Sequence, residues 1–194
     1  MGYLSGNFLI AEPDLQDPNF FRTVILVIQH SAEGAFGLVV NRQSEVTVGE
    51  VLEEVEGNPI ADLPVYVGGP VQQSYVFSLH QGVPEQYHSP HAEEVCDHVF
   101  FEPSFRHVVA YMQSEDYRAP LEDHSPNIRI FAGYSGWAAE QLEQELREAA
   151  WVVNPAQSHL IFQDDPAAGW KEALSAKSDF YRVVAETGIK PSLN

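Results

Sequence analysis

A serine between two glycines, histidines at the ends of apolar runs, and a loop holding three histidines and a cysteine are the places where this chain could do chemistry. In "GYSGW", Gly133 to Trp137, a β-branched and aromatic segment passes through two glycines into a helical pattern. A nucleophilic serine on a strand-to-helix elbow has the form G-x-S-x-G, in which the second glycine lets helix and strand pack closely behind a strained residue. Trp137 occupies that position, so the elbow fails at a sterically important place. The turn could also be a small-molecule cradle. The reading the residues favour is an N-cap, with the Ser135 oxygen accepting from the amide of Trp137 or Ala138 where a strand gives way to a helix. Gly133 and Gly136 would leave amides free for an anion at such a helix start, but neither nucleotide-binding glycine fingerprint occurs.

In "HSPHAEEVCDHVF", His88, His91, Cys96 and His98 are ligand types that suit zinc. Their spacing matches no usual zinc pattern and no second ligand pair accompanies them, so the stretch reads as an acidic loop. No metal site and no cofactor is expected. His30 and His80 each end an apolar strand pattern, and Asn41 ends a third. Polar side chains there are either satisfied by nearby backbone or face a cleft at the sheet's end. Three such ends, together with "VGGPV" and Trp137, suggest one shared cleft, with the imidazoles and the amide orienting a small ligand against the indole.

The elements that must position these residues follow from pattern. "FLIAEP" and "RTVILVIQH" are buried strands, and "SAEG" joins the second to "AFGLVVNR" as a hairpin. Thr47 can cap a helix through about Val55, closed by "NPIADLP". "PVYVGGPV" is a strand ending in a glycine turn, Ser74 to His80 a further strand, and Gln81 to Asp97 a loop or irregular hairpin. "HVFF" is a strand, and a helix follows Ser104 with Phe105, Val108, Val109 and Met112 on one face. "NIRIFAGYS" is a strand, Gly136 to Ala149 a helix buried through Ala138, Leu142, Leu146 and Ala149, and Glu143 falls on its wet side. "WVVNP" and "HLIF" are short apolar pieces, and Pro166 to Gly188 is helical with a break near Lys177. Strands and helices intermix without a strict βαβ repeat, which predicts a mixed sheet flanked by helices over one domain, 1–194. One continuous core is expected, with Ile25, Val27, Leu38, Val40, Phe131 and Leu142 central to it.

Ten Lys plus Arg stand against 28 Asp plus Glu, a formal charge of -18 with the cations scattered. Such a surface repels phosphate backbones and anionic lipid. One cysteine excludes an internal disulfide, and neither a signal-like opening nor an apolar span is evident, so a cytoplasmic protein is expected.

"GNFLIAEPDLQDPNFFRTVILVIQHSAEGAFGLVVNR", "VYVGGPV", Leu79-His80, "GYSGWAAEQLEQEL" and the closing "PSLN" resemble the bacterial YqgE/AlgH family, in order and over nearly the whole chain. The resemblance implies an α+β protein with a mixed, largely antiparallel sheet curled toward a half-barrel and flanked by helices. It brings no established activity, and one branch carries a transcriptional-regulator label linked to alginate production. By position the family pattern falls on Pro13, Asp17, Pro18, Arg22, His30, Gly34, Gly37, Asn41, Gly68, Gly69, Pro70, His80, Gly133, Tyr134, Gly136, Trp137, Gln141 and Trp151. The chain departs from it at Gln43, where proline is frequent, at Tyr75-Val76, where Arg-Gly is common, and at Ser135, where alanine is common.

These observations assign no catalytic residue. They point to a non-catalytic regulatory or small-ligand-binding protein whose cleft draws on His30, Gly34, Gly37, Asn41, Gly68, Gly69, Pro70, His80, Tyr134, Ser135, Gly136, Trp137 and Gln141. One alternative is a hydrolase-like enzyme using His30 or His80 as base near Ser135, and another is a protein-interaction module with an acidic face. The partner is an unknown small molecule or protein, with no direct nucleic-acid binding and no membrane contact. Because phosphate contacts supply most non-specific affinity, purified protein titrated into labelled duplex DNA at physiological salt should show binding weaker than micromolar by anisotropy.

Overall fold

The β-branched runs form strands because their branched side chains pack well on a pleated surface. A computed structural model of the chain describes residues 2–52, 55, 59–118 and 126–188. β1 (Asn7–Ala11), β2 (Val24–Ser31) and β3 (Gly34–Val39) come first, and β2 and β3 form the expected hairpin, with Ser31 opposite Gly34. β1 and the first five residues of β2 bury consecutive side chains, so both of their faces are covered. β4 (Gln43–Thr47), β5 (Pro64–Val67), β6 (Val71–Gln81), β7 (Glu93–Cys96) and β8 (Val99–Glu102) follow. β9 (Asn127–Ala138) and β10 (Trp151–Pro155) complete the strands. Helices α1 (Val48–Val51), α2 (Arg106–Gln113) and α3 (Glu115–Arg118) lie in the middle of the chain. α4 (Gln141–Arg147), α5 (Ser158–Ile161), α6 (Gly169–Ser175) and α7 (Asp179–Thr187) belong to its last third.

The sheet runs β10-β1-β2-β3-β9-β6-β8-β7 with every neighbour antiparallel, while β5 joins β9 in parallel and β4 joins β5. It curls into a half-barrel, and the fold is α+β, as the resemblance implies. β9 is the strand on which both parts depend. Its residues from Asn127 onward pair with β6 and β5, and Ser135 to Ala138 pair with β3.

That double use requires two backbones to meet closer than a side chain permits. An added Cβ at Gly68 would lie 2.3 Å from the Gly133 carbonyl oxygen, and one at Gly69 would lie 2.2 Å from that of Tyr134. Gly133 itself has φ +70, and its added Cβ would lie 2.7 Å from the Gly69 oxygen. The two glycine motifs of the sequence are therefore the two sides of one crossing.

Several expectations are corrected. No helix starts at Gly136, since β9 continues to Ala138 and α4 begins only at Gln141. Burial alternates along Phe131, Gly133, Ser135 and Trp137, which is a strand's period of two. Small residues at two of the inward positions hid that alternation in the sequence. Of the helix's expected buried stripe only Leu142 is fully buried, while Ala138 and Ala149 are exposed. The helix after Thr47 ends at Val51, held at its start by the Glu50 carboxylate accepting from the Thr47 amide and hydroxyl. β4 was not foreseen because it is short, polar and mostly exposed. "HLIF" overlaps the helical turn α5, and the break near Lys177 separates α6 from α7, where Ser178 caps α7 through the Tyr181 amide. The closing "PSLN" lies outside the described residues.

The single core is corrected as well. All six central residues named from the sequence are buried in one cluster, with Trp170, Ala173 and Leu174 of α6 packed on it. A second cluster joins Val108, Val109 and Met112 of α2 to Ile130, Val65 and Ile60. The central strands divide the two. Phe131, Tyr66, Phe77 and Leu79 face the first cluster, while Ile130, Val65 and Val76 face the second. Among the described residues no helix is long and apolar enough to cross a membrane.

Gly133→Ala should cost about 1–3 kcal/mol, because it forces a Cβ into left-handed backbone and against a carbonyl. Urea denaturation followed by far-UV circular dichroism measures the loss.

Candidate functional site

Ser135 is fully buried within β9, and its hydroxyl donates to the Gly68 carbonyl at 3.3 Å. The N-cap expectation is thus corrected: the serine ties β9 to the turn after β5. The glycines of the proposed cleft are likewise filled from within. An added Cβ at Gly34 would lie 2.2 Å from the Trp137 oxygen, and one at Gly37 would lie 2.7 Å from the Leu26 oxygen. Gly136 faces the Tyr134 ring, which packs with Phe36 and Phe77, and Pro70 is exposed at the turn.

His30 and Trp137 do come together. His30 is opposite Ala35 on β3, and Ala35 is opposite Trp137 on β9, so both side chains leave the same face of the sheet. α4 takes up both. The His30 Nδ1 accepts from the Leu4 amide at 3.1 Å, which places the ring proton on Nε2, and Nε2 donates to Glu143 at 2.9 Å. The Glu143 carboxyl is held below its ordinary value by its own backbone amide, and further by His30. Trp137 and Trp151 each donate an indole N–H to the same Glu145 oxygen at 2.8 Å, and Gln141 donates to the other oxygen at 3.0 Å. Gln141 also accepts from the Ala138 amide, closing the turn between β9 and α4. The imidazole and the indole both anchor the helix.

His80 and Asn41 lie elsewhere. His80 is fully buried on β6, opposite Ile128 at the other end of β9, so the cleft shared by His30, His80 and Trp137 does not exist. Its Nε2 donates to Glu102 at 3.4 Å, and its ring stacks on Phe100 and packs against His88. Burial drives the His80 pKa down to about 4, against the opposing pull of Glu102, so the ring is neutral at pH 7. Asn41 accepts from the Val24 amide at 2.8 Å and donates to the Arg22 carbonyl at 3.0 Å, joining the end of β3 to the start of β2.

The four zinc-type residues make other contacts. The His88 Nε2 donates to the Val83 carbonyl at 3.0 Å, the His91 amide bonds the Ser89 hydroxyl, and the His98 ring sits 3.2 Å from Glu94. Burial, followed by Asp97 and Glu94, pushes the Cys96 thiol up to about 11. Among the described residues no three His, Cys, Asp or Glu side chains gather into a metal-binding group.

One opening among the described residues lies beside the last residues of β2. A groove of about 550 Å³ is lined by Ser5, Gly6, Ile28 to Ser31 and Glu93 to Val95. A smaller hollow of about 220 Å³ shares Gln29 and Ser31 with it and adds Glu33, Gly34, Ala35, Phe36 and Trp137. Gln29 reaches across the groove and donates to both Glu93 oxygens, at 3.1 and 3.2 Å. Glu93 and Glu94 had been part of an acidic loop in the sequence, and nothing in their spacing placed them against β2. Arg129 was also missed. It is buried on β9, donates to the Val40 and Gln163 carbonyls and lies 4.3 Å over the Tyr66 ring. Its signal was a lone cation in the apolar run "NIRIFAG".

The model of the AlgH-like family matches residues 8–181. The chain belongs to that family. A UPF0301 protein of Nitrosococcus oceani is 34% identical, covering 97% of each chain, and one of Erwinia tasmaniensis is 35% identical, covering 95% of this chain and 98% of its own. Among solved structures, the AlgH protein of Pseudomonas aeruginosa matches with a TM-score of 0.71 and 29% identity over 98% of this chain and 96% of its own. Protein DIP2367 of Corynebacterium diphtheriae shares the fold with a TM-score of 0.73 at 24% identity, over 95% and 92%.

In this AlgH-like chain, Glu145→Ala should cost about 1–3 kcal/mol for each indole donor left unpaired. Glu145→Gln, which keeps an acceptor, should cost less. Denaturant titration followed by tryptophan emission separates the two variants.

Proposed function

We propose that the protein is a non-catalytic binding protein, regulatory in role, whose recognition surface is the groove beside the last residues of β2. The observation that carries this reading is the groove itself, a concavity lined by the polar residues Ser5, Gln29, Ser31, Glu93 and Glu94. A few placed polar groups around a concavity are what a ligand site requires. The hydrolase alternative lacks such support. The Ser135 hydroxyl is turned to a carbonyl, and both His30 nitrogens are engaged, one by the Leu4 amide and one by Glu143. The His80 Nδ1 has no hydrogen-bond partner among the described residues, but its ring is fully buried beside Ile128, near the opposite end of β9 from Ser135. A general base needs a free lone pair within reach of the proton it removes. With 28 acidic residues against ten basic ones, any effect on transcription would pass through a ligand or partner rather than direct DNA contact.

Thermal-shift screening against small polar amines, amino acids and short peptides tests the proposal. A ligand at a hundred times its Kd should add about 2.7 kcal/mol of stability. Gln29→Trp, which fills the groove, should abolish that gain and leave the melting temperature of the free protein nearly unchanged. A gain that survives Gln29→Trp places recognition elsewhere and removes this reading.

A further inference from the structure

We infer that the first half of β6 and a groove at its foot form a second recognition site, which takes an aromatic side chain carried on an uncharged stretch of a protein partner. None of its residues lines the groove beside β2, so it stands apart from the site proposed above.

Over this stretch β6 falls out of step with both neighbours. Val71 lies opposite Tyr134 and Val76 opposite Ala132, so the four residues Gln72 to Tyr75 bulge out against Gly133 alone. Gly133 makes room for them, since an added Cβ there would lie 3.0 Å from the Val71 carbonyl oxygen and 3.2 Å from the Gln73 Cα. On the other side β6 pairs with β8 only from Ser78 to His80, because β8 ends at Glu102 and is followed by Pro103. Gln72 holds φ +45, a conformation uncommon outside glycine. All four bulged residues are exposed, Tyr75 to 55%. Among the described residues no hydrogen bond occupies their side chains. Bulges serve at sheet edges and beside sites to re-aim side chains.

The groove opens next to Tyr75. It holds about 420 Å³ and is lined by Ser74 to Phe77 and Pro103 to Phe105, a concavity with room for a ring.

The lining fixes the class of occupant. No Asp, Glu, Lys or Arg takes part in it, although the chain carries 28 acids and a formal charge of -18. A cation is better held by the carboxylates elsewhere, and an anion is repelled by the net charge, which leaves a neutral group. Phe77 already packs with Phe36, Phe101 and Tyr134 at centroid distances of 5.5, 5.7 and 6.2 Å. A further ring entering beside Tyr75, Phe77 and Phe105 extends that cluster, and ring pairs contribute beyond their buried area. An aliphatic side chain lacks this gain. A ring on a protein chain arrives with peptide groups on either side. The amides of Gln72 and Gln73 and the Ser74 hydroxyl offer those groups both donors and acceptors. A tyrosine anchor among adaptable uncharged polar side chains is also how antibody loops grip protein surfaces.

The probe is acetyl-Gly-Trp-Gly-amide, titrated to millimolar concentration into 15N-labelled protein, with acetyl-Gly-Leu-Gly-amide and acetyl-Glu-Trp-Glu-amide as comparisons. The neutral tryptophan peptide should shift the amides of Ser74 to Phe77, Ser104 and Phe105, and the other two should shift them far less. Tyr75→Ala should weaken its binding about tenfold. Tyr75→Phe, which keeps the ring, should bind as the unaltered protein does. Both variants should keep the melting temperature, because the side chain at 75 is largely in solvent. Shifts located elsewhere, no shifts, or equal shifts from the leucine peptide overturn the inference. The same amides moving when the protein alone is concentrated also overturns it, since a second copy of the chain then fills the groove. Gln29→Trp should leave the tryptophan-peptide shifts in place, and their loss in that variant would end the claim of a separate site.

Discussion

The contact between the Gly68-Gly69 turn and the Gly133-Tyr134 stretch of β9 is the constraint on which the rest of the molecule depends. Two main chains approach there at distances that exclude any Cβ. The approach lets the Gly68 amide donate to the Ala132 carbonyl while the Gly68 carbonyl accepts from the Val39 amide, so the turn is bonded to β9 and β3 together. The buried Ser135 hydroxyl adds a third bond to the same carbonyl. A carbonyl has two lone pairs and tolerates this sharing. Without the crossing, β9 could serve β6 and β5 or serve β3, but not both.

Where β9 ends, the chain turns back as α4, and the helix is fixed by acid groups rather than by an extensive apolar face. Leu142 is its one fully buried side chain. Glu145 collects two indoles and a glutamine, and Glu143 holds the His30 ring. Hydrogen bonds to an ionised acceptor are stronger than those between neutral groups, which suits a short helix that buries little. The same bonds fix the His30 proton and order Tyr3 to Ser5, the last of which lines the groove beside β2. Acidity here is part of the internal structure as well as of the surface.

Much of the fold was legible because burial wrote itself into residue type. β1, β2, β3 and β10 are apolar runs, and α2 shows its face through Val108, Val109 and Met112. One source of failure is that side-chain type reports burial poorly where the neighbour is backbone. Gly133 and Ser135 sit on buried positions of a strand, yet small residues between two glycines look like a turn. His30, Asn41 and His80 are polar groups at strand ends, but the partners they bond, Glu143, the Val24 amide and Glu102, are distant in sequence, and the His80 Nδ1 has no partner among the described residues. Glu93 and Glu94 reach β2 only because the sheet curls until its last strand approaches its third, and no local pattern encodes that closure.

The late position of β9 in the chain has a consequence for synthesis. β3 and β6 are complete once residue 81 has been made, but the strand that separates and joins them spans Asn127 to Ala138. Until it leaves the ribosome, the facing edges of both strands stay open on the nascent chain, with Phe77 and Leu79 beside them lacking their Phe131 partner. Open apolar edges are the surfaces on which growing chains associate wrongly and which chaperones shield. Every one of these molecules therefore passes through a vulnerable interval set by the distance along the chain between its two glycine motifs.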